Sequence, residues 1–145
     1  MEDAEIKTKS LKVMRDYPGC VLATVDKAGM PHQRMMQTLK IEDDGKIYFS
    51  TARGARKLEH LAGNNSLSLL YTSYKGDLMN WECAALTGTA EITDDKALRE
   101  RFWVDEFKMY YPGGVDDPSY MLVVFRAKEV RYSYSGAMQE FVASF

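Results

Sequence analysis

Three short turn signals divide this chain into β-rich runs, and they constrain the fold more than any other feature of the sequence. The turns lie at residues 26–29, 42–45 and 75–77, where glycine stands beside aspartate, lysine or alanine. Such short connections join antiparallel strands, whereas parallel strands need crossovers of about a dozen residues or more. The sequence therefore predicts antiparallel hairpins rather than a βαβ arrangement.

The first three strands are predicted to form a meander, because only these short turns separate them. A long last strand is predicted over residues 120–134, and its first half is almost continuously apolar, which favours the centre of the core. Gly88 lies within a β-rich run and predicts a bulge or a close backbone approach. The predicted strands cover residues 20–26, 31–41, 47–51, 66–74, 78–93 and 120–134.

Helices are predicted where apolar residues recur at helical spacing or where a strand ends in capping residues. Thr93 and Asp94 are the predicted caps of the third helix, and residues 136–145 predict a short helix or an arm that docks elsewhere. This order of elements predicts a mainly β domain with flanking helices (α+β), built as an antiparallel β-barrel. The predicted helices cover residues 4–16, 55–62 and 96–107.

Length and charge restrict the functional class. A chain of 145 residues with a formal charge of −2 predicts one domain over residues 1–145 and argues against a nucleic-acid binder. No apolar run approaches the ~20 residues that span a bilayer, and residues 1–12 contain no secretory apolar region. Cys20 and Cys83 form no CxxC pair, which favours reduced thiols and a cytoplasmic protein, and a structural disulfide is the alternative. His32 and His60 lack metal-site spacing, so no metal is predicted.

The charge of residues 46–61 is unusual for a helix start. A short strand runs into Ser50 and Thr51, and Arg56 and Lys57 then occupy the first turn of the predicted helix. The positive end of the helix dipole favours acids there, and it binds phosphate readily. One interpretation is an anion site that uses these two cations. The alternative is a solvated helix start whose cations extend toward Glu59 or water.

Arg34 lies on the second predicted strand, which a meander would place about 4.8 Å from the third. Arginine binds phosphate as a fork and lysine as a point charge, so Arg34, Arg56 and Lys57 together suit a dianion. Arg53, in the preceding turn, is a spare candidate. The structural alternative for Arg34 is a salt bridge to an acid at a strand end.

No catalytic residues are assigned by the sequence. It contains no GxSxG, HExxH, GxxxxGK[ST] or GxGxxG motif, and the two histidines have no carboxylate partner at a motif spacing. Any redox chemistry would therefore come from a bound cofactor, for which the protein supplies binding and orientation.

A family resemblance is carried by the segments ATVDKAGMPHQRMMQ, KIYFSTARGARKLEHLAGNNSLSLLY, LTGTAEITDD and YYPGGVDDPSYMLVVF. Together they resemble the pyridoxamine 5′-phosphate oxidase-like FMN-binding split barrels, and more narrowly their general-stress-protein branch. The resemblance covers roughly residues 17–134. It implies a six-stranded antiparallel split barrel that forms a homodimer, with FMN bound at the subunit interface.

The resemblance also implies roles for individual residues. Arg56 and Lys57 would hold the FMN phosphate, and Ser50 and Thr51 would hydrogen-bond the edge of the isoalloxazine ring. Further groups would come from the partner subunit, from the strand around residues 81–85 and from the aromatic helix or the last strand. Ala55 stands where the family often has serine, so one hydroxyl contact is missing. The residues expected to line the flavin and its ribityl chain are Arg34, Met35, Met36 and Gln37.

Several functions agree with this resemblance. We expect an FMN-dependent oxidoreductase with a small-molecule partner such as NAD(P)H. A flavin-binding carrier, store or sensor without turnover is the alternative, as is a relative that binds haem or the deazaflavin F420. Vitamin B6 oxidation is not expected, because the arginine-rich segment that holds this substrate in the oxidases has no counterpart after Tyr134.

Overall fold

The computed structural model describes all 145 residues, and its elements follow the turn pattern of the sequence. The helices are α1 (Asp3–Asp16), α2 (Arg56–Gly63) and α3 (Lys96–Phe102). The strands are β1 (Gly19–Val25), β2 (Pro31–Gln37), β3 (Lys40–Ile41), β4 (Lys46–Ala52), β5 (Ser66–Thr72), β6 (Glu82–Thr93), β7 (Tyr120–Tyr134) and β8 (Phe141–Ser144). Short 3-10 turns at Asp105–Met109 and Gly114–Asp116 connect α3 to β7.

All strands belong to one antiparallel sheet in the order β2-β1-β5-β6-β7-β4-β3, and β8 pairs with β7. The sheet forms a half-barrel with three flanking helices, which confirms the predicted fold class. Six strands are long, as the split-barrel resemblance implies. The other two are short: β3 has two residues and β8 has four.

Strand β7 lies inside the sheet, between β6 and β4, and the apolar first half of the strand is buried, as its sequence predicts. Leu122, Val123 and Phe125 are fully buried. Burial of each side chain of this kind stabilises the fold by about 1.5–3 kcal/mol. Helix α1 packs Ile6 and Met14 into the same core as Val123 and Phe125, which closes one side of the half-barrel.

The predicted meander of the first three strands is wrong. Strands β1 and β2 form a hairpin, but β4 pairs with β3 and β7 and not with β2. The predicted second strand breaks at Thr38 and Leu39, which bond to different parts of the sheet. Thr38 N donates to Pro18 O at 3.0 Å, and Leu39 N donates to Tyr48 O at 2.9 Å. This segment therefore bridges the two edges of the sheet.

Two local predictions, both for α3, also need correction. Helix α3 ends at Phe102, because the chain then becomes extended and lets Trp103 and Phe107 pack on Tyr120. Its N-cap is Asp95, whose side chain accepts a hydrogen bond from Leu98 N. The C-terminal segment forms strand β8, which pairs with β7, so the docked arm and not the helix is observed.

The predicted irregularity at Gly88 is confirmed. The register between β6 and β7 shifts between Thr87 and Gly88, and a Cβ at Gly88 would lie 2.1 Å from Arg126 O. Only glycine fits such a close backbone approach.

None of the helices combines the length and apolar character required to cross a membrane.

Candidate functional site

Helix α2 begins with the two cations that the sequence singles out. Arg56 and Lys57 are its first two residues, and the N-cap residue Ala55 has no side-chain acceptor for the free amides of the first turn. Lys57 Nζ donates to the hydroxyl of the buried Thr51 at 2.9 Å. The Arg56 side chain is exposed. The start of α2 thus presents uncapped N–H groups beside two positive charges, an arrangement that attracts anions.

Arg34 joins this group although β2 and β4 are not neighbours. Strand β2 pairs with β1, and α2 packs against β1, so the inward side chain of Arg34 extends toward the start of α2. Burial lowers the pKa of Lys57, and the charge of Arg34 lowers it further. Burial and the charge of Arg56 likewise lower the pKa of Arg34. Arg34 therefore lies close enough to Arg56 and to Lys57 for their charges to repel.

No carboxylate compensates this cation cluster, which we define as Arg34, Arg56 and Lys57. None of its members forms an ion pair within the chain, and Arg56 does not pair with Glu59. The salt bridge that would explain Arg34 structurally is thus absent. A bound anion such as a phosphate would relieve this repulsion.

Arg53 lies outside the cluster, so it is not the spare ligand that the sequence suggests. Its Nε donates to Pro118 O at 2.7 Å, and its Nη2 lies 3.6 Å from the Asp94 carboxylate. The turn before α2 therefore directs Arg53 toward the loop that precedes β7.

The other expected site residues are divided between surfaces. Ser50 lies on the face of β4 opposite to Thr51, near Tyr111, where burial raises the pKa of Tyr111 and the Ser50 hydroxyl partly offsets the rise. Met35 and Gln37 point to the exposed outer face of β2, whereas Met36 packs against the core. Within a single chain, therefore, only the residues expected to bind the phosphate come together, and Thr51 lies beside them.

A hydrogen-bonded network that the sequence does not reveal adjoins the cluster. Arg34 Nη1 donates to Thr24 Oγ1 at 2.8 Å, and this oxygen lies 2.8 Å from His60 Nδ1. His32 Nε2 lies 2.8 Å from an oxygen of Asp26, and the two histidine rings are 5.0 Å apart. Asp26 is thus the carboxylate partner that no motif spacing indicates, and its pKa is lowered mainly by the His32 contact.

A partial signal for this network exists in the sequence. Thr24 shares the buried face of β1 with Cys20 and Leu22, and a polar residue on such a face needs a hydrogen-bond partner. That partner, His60, lies 36 residues away. Local patterns therefore cannot identify it.

A cleft of about 870 Å³ lies between the β1–β2 turn and α2. Of the expected site residues it contains only Arg56, and His60 lies on the same wall. Asp26 and Glu59 also line it, and they make it less suited to a phosphate than the cation cluster. We therefore place the candidate anion site at the cluster.

Comparisons with known proteins agree with this architecture. The model of the family described as pyridoxamine 5′-phosphate oxidase like matches residues 5–144. This chain belongs to that family. Pyridoxine/pyridoxamine 5′-phosphate oxidases from Pseudoalteromonas translucida and Photorhabdus laumondii are 43% and 45% identical to it over 54 and 61 residues. These matches cover 37% and 42% of this chain but only 25% and 28% of the oxidases.

Several solved structures share the fold of nearly the whole chain. A Clostridium acetobutylicum protein related to general stress protein 26 has a TM-score of 0.82 and 26% identity, over 99% of this chain and 97% of that one. General stress protein 26 from Bacillus anthracis gives 0.76 and 22%, over 97% and 99%. A heme-binding protein from Mycobacterium smegmatis gives 0.75 and 17%, over 99% and 59%. The likeness thus extends to the general stress protein 26 group.

Proposed function

We propose that this family member is a cytoplasmic flavoprotein that binds FMN and acts in redox chemistry. The observation that carries the proposal is the cation cluster, in which three positive groups at a helix start have no carboxylate partner. The phosphate of FMN is a dianion that matches this charge. Arg34, Arg56 and Lys57 would hold it, with the N–H groups of α2 as further donors.

Bound FMN would supply the capacity to accept and transfer electrons, which no side chain of this chain provides. The protein would contribute phosphate binding by the cluster and orientation of the cofactor. The oxidases share only a short segment with this chain, so their vitamin B6 substrate is not part of the proposal.

The site is proposed to be completed in a homodimer. Met35, Val21 and Leu70 lie side by side on the outer face of three adjacent strands. Met35 is 69% exposed and Leu70 is 40% exposed, an unusual exposure for large apolar side chains on a sheet. Coverage of this face by a second copy would bury them and bring Met35 and Gln37 into an interface. Light scattering tests this, since a monomer that keeps its flavin would contradict it.

The binding proposal is tested by titrating the purified protein with FMN and with riboflavin, which lacks the phosphate. We expect preferential FMN binding, and the Arg56→Gln/Lys57→Gln double variant to lose at least about 100-fold in FMN affinity. Two charge-assisted contacts of about 1.5–3 kcal/mol each account for this loss. Riboflavin affinity should change little.

The matched control is Arg53→Gln, which removes a nearby cation that is engaged elsewhere. It should retain the FMN affinity of the wild type. Equal losses for FMN and riboflavin in the double variant would show that Arg56 and Lys57 do not hold the phosphate. If the purified protein shows the absorbance spectrum of haem rather than flavin, the alternative that this protein binds haem would be favoured.

Catalytic turnover is separated from simple flavin binding by anaerobic addition of NADH or NADPH. The oxidoreductase hypothesis predicts that the absorbance of the bound flavin bleaches. A flavin that stays oxidised with these donors and with other common reductants would favour a carrier, store or sensor.

A further inference from the structure

One nitrogen of the Arg34 guanidinium donates hydrogen bonds to three acceptors within the protein. The other two nitrogens make none. Arg34 Nη1 donates to Thr24 Oγ1 at 2.8 Å and to Leu22 O and His32 O at 3.2 Å each. Its Nε and Nη2 groups make no hydrogen bond with the chain. These two groups form one edge of the guanidinium, the geometry that binds a phosphate with two parallel hydrogen bonds.

Thr24 provides the shortest of these contacts and the only one from a side chain. It is fully buried, so its hydroxyl must be satisfied inside the protein. Arginine is a donor only, and Thr24 Oγ1 therefore accepts from Arg34. The hydroxyl hydrogen then has His60 Nδ1 as its acceptor, at 2.8 Å. A chain of hydrogen bonds thus runs from Arg34 through Thr24 to His60.

His60 is well placed to fix the orientation of this hydroxyl. It is itself 8% exposed, lies on α2, and packs its ring against that of His32. The helix that carries Arg56 and Lys57 is thereby connected to the strand that carries Arg34. The network sets the position of one cation relative to the other two.

We infer that Thr24 and His60 are positioning residues that hold Arg34 with its free edge directed toward the cofactor phosphate. This inference rests on the proposed FMN site and assigns to it two residues that act through Arg34. Without the Thr24 hydroxyl, Arg34 Nη1 keeps only the two longer contacts to carbonyl groups. The guanidinium then samples more orientations, and phosphate binding has to restrict them.

The test compares Thr24→Val, which keeps the shape of the side chain but removes the hydroxyl, with Thr24→Ser, which keeps the hydroxyl. Dissociation constants for FMN and riboflavin are measured by flavin fluorescence. We expect Thr24→Val to weaken FMN about tenfold and riboflavin less than about twofold. The serine variant should keep the FMN preference of the wild type within about threefold. A tenfold change corresponds to about 1.4 kcal/mol.

A second pair of variants tests the other end of the network and remains informative where Thr24→Val does not fold. His60→Phe removes the ring nitrogens, whereas His60→Asn retains a polar group near the position of Nδ1. The phenylalanine variant should lose FMN preference, and the asparagine variant should recover most of it. Thermal unfolding monitors the fold of all four proteins.

Two results would overturn the inference: equal weakening of FMN and riboflavin, which indicates a general structural role, or failure of both conservative variants to restore the preference. A wild-type protein that binds FMN no better than riboflavin would overturn the proposed phosphate site itself. This result can be distinguished from failure of the inference, because it is measured on the wild type alone.

Discussion

Two groups of cations in this protein differ in how their charge is balanced. Arg53, Arg101 and Arg131 each lie within 4.0 Å of a carboxylate, with Arg131 contacting both Glu129 and Glu140. The cation cluster of Arg34, Arg56 and Lys57 has no such partner. Arg53 and Arg56 are separated by only two residues, yet they belong to different groups.

Paired and unpaired cations are expected to have opposite effects on the stability of the ligand-free protein. Exposed ion pairs contribute about 0–1 kcal/mol each, so the paired arginines add modestly to stability. Cations at a helix start act in the opposite direction, by about 0.3–1 kcal/mol each, when no anion is bound. Neutralising a charge in the first group should therefore destabilise the protein, whereas neutralising Arg56, whose side chain makes no hydrogen bond within the chain, should stabilise the ligand-free protein. Three predictions follow from this contrast, in order of decreasing effect.

Substituting Ala55→Asp should give the cluster the carboxylate that it lacks. Ala55 has the extended N-cap conformation (φ −67°, ψ 140°) and no capping side chain. An aspartate cap stabilises a helix by about 1 kcal/mol, so the melting temperature of the ligand-free protein should rise. FMN affinity should fall at least about 100-fold, because the new carboxylate would repel a phosphate at the helix start. Two like unit charges about 5 Å apart repel by about 3 kcal/mol at a dielectric constant of about 20.

Ala55→Ser is the matched control, since it adds a cap without a charge. It should raise the melting temperature and leave FMN affinity unchanged or higher. If the aspartate variant keeps wild-type FMN affinity, the phosphate does not lie at the start of α2.

The second prediction concerns stability without ligand and compares Arg56→Gln with Arg101→Gln. Removing the charge of Arg56 relieves repulsion at the helix start, and we expect a gain of about 0.3–1 kcal/mol. Such a gain raises the melting temperature by roughly 1–3 °C. Arg101 pairs with Glu42 at 3.2 Å and lies over the Phe102 ring, so its loss should lower the melting temperature.

Circular dichroism in phosphate-free buffer measures both shifts. Equal signs for Arg56→Gln and Arg101→Gln would contradict the division into two groups. Added inorganic phosphate should bind at the cation cluster of the wild type and stabilise it. The difference in melting temperature between the wild type and Arg56→Gln should then become smaller.

The smallest effect is expected at the Asp26–His32 pair, in which His32 Nε2 lies 2.8 Å from the Asp26 carboxylate. The pKa of Asp26 is lowered in the fold, chiefly by His32 and then by backbone N–H groups. Its ionised form therefore adds stability above the unfolded pKa of about 3.9. This contribution is lost as the pH falls through the lower folded value.

We expect Asp26→Asn to melt below the wild type at about pH 5–6, with the two curves converging below about pH 3. Asparagine retains an oxygen that can accept the hydrogen bonds from the Ala28 and Met30 amides. The comparison therefore tests the negative charge of Asp26. A difference between the two proteins that stays constant across this range would show that the pair does not depend on ionisation.

The sequence predicted much of the fold, since the features that define its elements are local. Hairpin turns, the apolar first half of β7 and the irregularity at Gly88 all depend on neighbouring residues. The meander failed because strand pairing is decided over long distances. Nothing near Thr38 in the sequence indicates that its amide bonds to Pro18 while the next amide bonds to Tyr48.

The candidate site divides in the same way. The sequence by itself determined that Arg56 and Lys57 stand at a helix start, because a helix boundary is a local property. Only the tertiary structure decided that Arg34 meets them, that Arg53 does not, and that Thr24 and His60 lie between strand and helix. Those contacts require β1 to pair with β2 and α2 to pack on β1. Such packing is set by burial of the whole core and not by any one segment.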